Sequence, residues 1–128
     1  MTASVAMTTL VVDDYDRAIA FYRDALGLKL VADTDMGGGK RWVVVSGPDG
    51  GRLLLAKAVD DAQRGAIGNQ AGGRVGFFME TDDFAVDHAA FVAKGVVFRE
   101  VPRHEPYGMV AVFEDPFGNL WDLIEPKC

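Results

Sequence analysis

The chain has 128 residues, 49% of them apolar, and carries 19 acidic against 13 basic side chains for a formal net charge of -6. That length and apolar share fit one domain, or two half-domains sharing a core, and exclude a disordered chain. The acidity disfavours nucleic acid, which would attract a basic patch, and no segment approaches the roughly 18 uninterrupted apolar residues of a membrane span.

Residues 7–12, Met-Thr-Thr-Leu-Val-Val, are β-branched and apolar and predict a strand. Asp13 and Asp14 can cap a helix start by accepting from free backbone N–H groups. Ala18, Phe21, Tyr22, Ala25 and Leu26 then fall on one helical face, and Gly27 ends the helix. Leu28 to Ala32 predicts a second strand, followed by a glycine-rich connection at Met36-Gly37-Gly38-Gly39. Arg41 to Ser46 and Arg52 to Ala58 predict two more, around the Gly47-Pro48-Asp49-Gly50-Gly51 turn. The unit is βαβββ.

Residues 59–73 form a polar, glycine-rich linker with one helical turn after Asp60-Asp61. Strands are then expected over Val75–Thr81, Val96–Val101, Met109–Glu114 and Asn119–Glu125, with a helix capped by Asp82 and Asp83 and ending near Gly95. The second half thus repeats the first. Val11-Val12-Asp13-Asp14-Tyr15 is answered by Glu80-Thr81-Asp82-Asp83-Phe84 at an offset of 69, and Gly47-Pro48-Asp49-Gly50 by Asp115-Pro116-Phe117-Gly118 at 68. Gly27-Leu28-Lys29-Leu30 is answered by Gly95-Val96-Val97-Phe98, also at 68. A shared offset kept in order marks an internal repeat, with modules at about 5–58 and 74–126. The N-terminus shows no basic region leading into an apolar stretch, and the single cysteine, Cys128, cannot form an internal disulfide. A cytoplasmic protein with a free terminal thiol is the expectation.

Two strings carry a family resemblance: Asp14-Tyr15-Asp16-Arg17-Ala18-Ile19-Ala20-Phe21-Tyr22-Arg23-Asp24-Ala25-Leu26-Gly27, and Asp115-Pro116-Phe117-Gly118-Asn119. With the tandem βαβββ pattern they resemble the vicinal-oxygen-chelate superfamily of glyoxalase I, bleomycin-resistance proteins and extradiol dioxygenases. The resemblance spans residues 7–126 and implies an α+β fold, with eight strands curling into a cupped sheet and helices outside. It also implies a homodimer. Enzymes of the superfamily hold a metal with His, Gln or Glu on the first and fourth strands of each module. Here the matching positions are Met7, Leu54, Gly76 and Asp122, of which only Asp122 suits a hard divalent cation. No metal or other cofactor is therefore expected, a divalent metal held by other ligands being the alternative.

Strand alternation places Asp122 with Leu120 and Ile124, opposite Trp121 and Leu123. A carboxylate among apolar neighbours would have a raised pKa, suiting a general base or a counter-ion; a structural partner would make it an ordinary buried Asp. Thr9 shares the Met7 face, and Phe78 and Glu80 share that of Gly76, whose lack of a side chain leaves room for a flat ring. Arg41 and Trp42 alternate, so only one faces the cup. Trp42 inward gives a stacking wall, and Arg41 inward pairs with Asp122 or an anionic ligand. Tyr107 is either a rim aromatic that touches the ligand or a packing or surface residue, His104 lies in a loop that is exposed or reaches the rim, and His88 is expected on a solvated helix face. The function expected is binding of a small molecule, cationic or aromatic, without metal. The alternative is a lyase, isomerase, epimerase or dioxygenase-related enzyme acting on a small oxygenated substrate, with Asp122 as base.

Overall fold

In the computed structural model, which describes residues 2–127, the chain divides into two compact units between Ala66 and Ile67. Cys128 lies outside the described residues.

In the first unit, β1 (Thr8–Val12) leads into α1 (Tyr15–Ile19). The Asp14 carboxylate caps α1 by accepting from the Arg17 backbone N–H at 2.8 Å, an arrangement worth about 1 kcal/mol. The helix then widens into a π-helical turn over Ala20–Ala25, which periodicity alone did not predict; Leu26 N–H donates to Phe21 O, five residues back. Ala18, Tyr22 and Leu26 are buried as the spacing implied, together with Tyr15 and Ile19. Strands β2 (Lys29–Gly37), β3 (Lys40–Ser46) and β4 (Arg52–Lys57) complete a sheet of order β1-β4-β3-β2, with β1 and β4 parallel. β2 runs five residues beyond the expected Ala32 and takes in the first glycine of the connection. The helical turn expected in the linker is α2 (Asp61–Ala66).

The second unit repeats the plan with β5 (Val75–Glu80), α3 (Phe84–Ala93), β6 (Val97–Phe98), β7 (Arg103–Glu105), β8 (Gly108–Glu114) and β9 (Leu120–Pro126). Its five-stranded sheet runs β5-β9-β8-β6, with β7 also on β8. The single strand expected over Val96–Val101 is broken. β6 stops at Phe98, Glu100 to Pro102 bulge away, and pairing with β8 resumes at Arg103. Proline cannot donate to a ladder, and Pro102 lies within the stretch where regular pairing is interrupted. The Glu100 carboxylate fills the gap by accepting from Val112 N–H at 3.2 Å.

One face of each sheet packs under its helix. Leu10, Val12, Val43, Val45 and Leu55 are fully buried on that face of the first. In the second, Phe77 stacks on Trp121 at 4.9 Å, Trp121 on Phe113 at 5.8 Å, and Phe91 of α3 meets Phe113 edge-on at 5.8 Å. Such aromatic contacts add to the area they bury.

Candidate functional site

The far faces, opposite the helices, carry Thr9, Trp42, Leu54, Phe78 and Asp122 among the residues that the sequence singles out. In the first unit Thr9 is the ladder partner of Leu54, and Val44 lies beside Leu54 on β3. Met7, half-buried, stands one residue ahead of β1 in phase with Thr9. The phase left open between Arg41 and Trp42 is resolved. Trp42 lies two residues from Val44, hence on the far face, and is 38% exposed. Arg41 turns to the helix face. Its guanidinium sits 5.2 Å from the centre of the Tyr15 ring and donates to Asp16 Oδ1 at 2.9 Å and to Asp33 at 3.0 and 2.8 Å. Arg41 as an inward partner for Asp122 or an anionic ligand is therefore corrected. Asp16 and Asp33 hold it on the other side of the sheet, and their hydrogen bonds raise its pKa further above an already high value.

In the second unit Asp122 sits where alternation put it. Trp121 and Leu123 are buried under the helix, and Leu120, Asp122 and Ile124 share the far face, each half-buried. Its ladder partners are Phe78 on β5 and Val112 on β8. Phe78 is 62% exposed. Asp122 Oδ1 is buried and has no hydrogen-bond partner among the described residues. Burial raises the Asp122 pKa, the Arg103 guanidinium pulls it down, and the Glu100 carboxylate pushes it up again. The carboxyl is thus costlier to ionise than an ordinary aspartate.

Gly76 does not leave the open space expected above it, since a Cβ there would come within 2.8 Å of the Ala71 Cβ. A bulge between Val75 and Phe77 also makes Phe78, not Gly76, the neighbour of Asp122 on β5. Glu80 lies at the exposed end of the same face. His104 is exposed on β7. His88 is not on a free surface: its ring lies 5.4 Å from that of Phe84 and 4.3 Å from that of Phe98.

Three residues of this surface escaped the sequence reading. Arg103 Nε donates to Glu100 Oε1 at 2.9 Å and its Nη1 to Glu105 Oε1 at 2.5 Å. Tyr107 is 53% exposed in the β7–β8 turn. Pro102 was the available signal, because it argues against an unbroken strand and for a bulge that re-aims the side chains after it. A cleft of about 390 Å³ in this unit opens on the helix side between Asp83, Phe84, Met109 and Glu125 and does not include Asp122.

The donor set at the superfamily's metal positions, a thioether, an isobutyl group, a glycine and one carboxylate, does not fit a hard divalent cation. No group of three or more His, Cys, Asp or Glu among the described residues is placed to hold a metal.

Residues 4–123 match the family model of the Glyoxalase/Bleomycin resistance protein/Dioxygenase superfamily. An uncharacterized protein of Shewanella frigidimarina (strain NCIMB 400) is 49% identical over 98% of this chain and 95% of its own length. Among solved structures, UcmS2 superposes with a TM-score of 0.83 at 27% identity, covering 98% of this chain and 99% of that one. TnmS3, an antibiotic binding protein from Streptomyces sp. CB03234, superposes with a TM-score of 0.78 at 28% identity over 99% of each chain.

Proposed function

The chain belongs to the glyoxalase/bleomycin resistance protein/dioxygenase superfamily, and from that premise we propose that it binds a small organic molecule without a metal ion, on the face that carries Asp122 and Phe78. The observation behind this reading is the Asp122 carboxylate. A buried acceptor left unpaired costs free energy, and here it stands beside a solvent-exposed aromatic ring. A ligand that donates a hydrogen bond to Oδ1 while covering Phe78 would relieve both. The similarity to TnmS3, itself an antibiotic binding protein, supports a drug-like or metabolite ligand. Among the described residues no helix is long and apolar enough to cross a membrane. The reading takes the protein as cytoplasmic and, by resemblance, homodimeric.

A second reading keeps the same residue. A carboxyl whose pKa is raised by burial is suited to act as a general base, and a metal-free lyase, isomerase or epimerase would use Asp122 to take a proton from a small oxygenated substrate.

Two measurements test these readings. Metal content after incubation with nickel, cobalt, zinc, manganese or iron(II) and desalting should be far below stoichiometric; one metal per chain would refute metal-free binding. Compounds that raise the melting temperature should lose that effect in Asp122→Ala and Phe78→Ala, whereas an enzyme would show turnover of a bound compound that Asp122→Asn abolishes while binding persists.

A further inference from the structure

The unpaired state of Asp122 needs explaining, because a cation is near. Arg103 and Asp122 flank β8 on its two sides, paired with Val110 and Val112, yet no hydrogen bond of the guanidinium reaches that carboxylate. Nε is taken by Glu100 and Nη1 by Glu105. Arginine prefers a carboxylate with which it can make paired, charge-assisted bonds, and two competing glutamates supply them. Glu100 is itself fixed in the bulge by Val112 N–H, so the guanidinium is anchored on the β7 side of the face.

We propose that Glu100 and Glu105 are positioning residues that hold Arg103 off Asp122, keeping its carboxylate available to a ligand, and that the ligand is a cation with a flat apolar body. The ligand class follows from charge. Asp122, Glu100 and Glu105 carry three negative charges against one on Arg103, so an added ammonium or amidinium is attracted and a carboxylate repelled. The apolar body follows from Phe78, the exposed ladder neighbour of Asp122, over which an aromatic ligand can stack. This rests on the small-molecule reading above.

The test uses three probes of one shape: 1-naphthylmethylammonium, 1-naphthylmethanol and 1-naphthoate, titrated into ¹⁵N-labelled full-length protein and followed by amide shifts. The ammonium is expected to bind about 10-fold more tightly than the alcohol, with naphthoate weakest and shifts centred on Phe78 and Asp122. Asp122→Asn should erase the preference. Glu105→Gln should reduce it by freeing Arg103 to pair with Asp122, and Glu105→Gln with Arg103→Met should restore it. A residue that merely stabilised β7 would not be rescued by removing a second side chain. Equal or tighter binding of the alcohol or naphthoate on this face would overturn the ligand class while leaving small-molecule binding intact. A preference that Glu105→Gln leaves unchanged, or that the double variant fails to restore, would overturn the positioning role. No shift with any probe would overturn both the inference and the reading beneath it.

Discussion

Phe78 lies directly across the parallel β5–β9 ladder from Asp122, so a ring open to solvent stands beside a carboxylate oxygen sealed from it. Neighbouring strands are about 4.8 Å apart, which puts both side chains within reach of one ligand. Truncation should separate their parts. Phe78→Ala should weaken ammonium and neutral probes alike, about 10-fold each by titration, whereas Asp122→Asn should weaken only the ammonium.

Asp122 also sets a pH dependence. Burial raises its pKa, so between the unfolded and folded values the native state keeps a proton that the unfolded chain releases. The stability this gives is fully present below the unfolded value of about 3.9 and is lost as pH rises through the folded one. Asp122→Asn escapes that loss. Its melting temperature relative to the parent should climb between about pH 3 and pH 7; a flat difference would contradict the raised pKa.

Arg41→Met should act on stability and leave binding alone. The guanidinium joins Asp16, Asp33 and the Tyr15 ring on the helix face, in partly exposed contacts together worth about 1 kcal/mol. Urea denaturation should show that loss with probe affinities unchanged. Trp42→Ala, one residue on but on the far face, should cost little stability.

Gly68 and Gly72 separate backbone strain from steric clash. Both have positive φ, +69° and +66°. An alanine at either meets the left-handed penalty of about 1–2 kcal/mol. At Gly72 the Cβ would enter open space, but at Gly68 it would come within 2.0 Å of Phe117 O. Gly68→Ala should therefore cost clearly more than Gly72→Ala in chemical denaturation, and equal losses would refute the close approach.

The features readable from sequence were those set by local periodicity. Alternation placed Trp121 and Asp122 on opposite faces of β9, and the helical spacing found Ala18, Tyr22 and Leu26. What stayed hidden depends on contacts across strands. The side to which Arg41 turns is decided by Asp16 and Asp33, one on a helix and one on the neighbouring strand. The space over Gly76 is taken by Ala71 from the linker, which no pattern within β5 records. The bulge at Glu100–Pro102 had a visible sign in its proline, but the carboxylate that fills the missing ladder bond could be seen only in three dimensions.

The two matching turns of the repeat are not chemically equal. Asp115 Oδ1 accepts from the Phe117 and Asn119 backbone N–H groups at 2.9 and 2.8 Å, and Asn119 Nδ2 donates to Oδ2 at 2.8 Å. The corresponding position in the first half is Gly47, which has no side chain to offer; there Gly47 N–H donates to Gly51 O at 3.1 Å. One copy of a duplicated unit thus carries its own clasp and the other does without. The clasped hairpin feeds β9, the strand that presents Asp122. The side-chain hydrogen bonds that fix this turn therefore stand at the start of the strand carrying Asp122, and no counterpart at Gly47 can supply them.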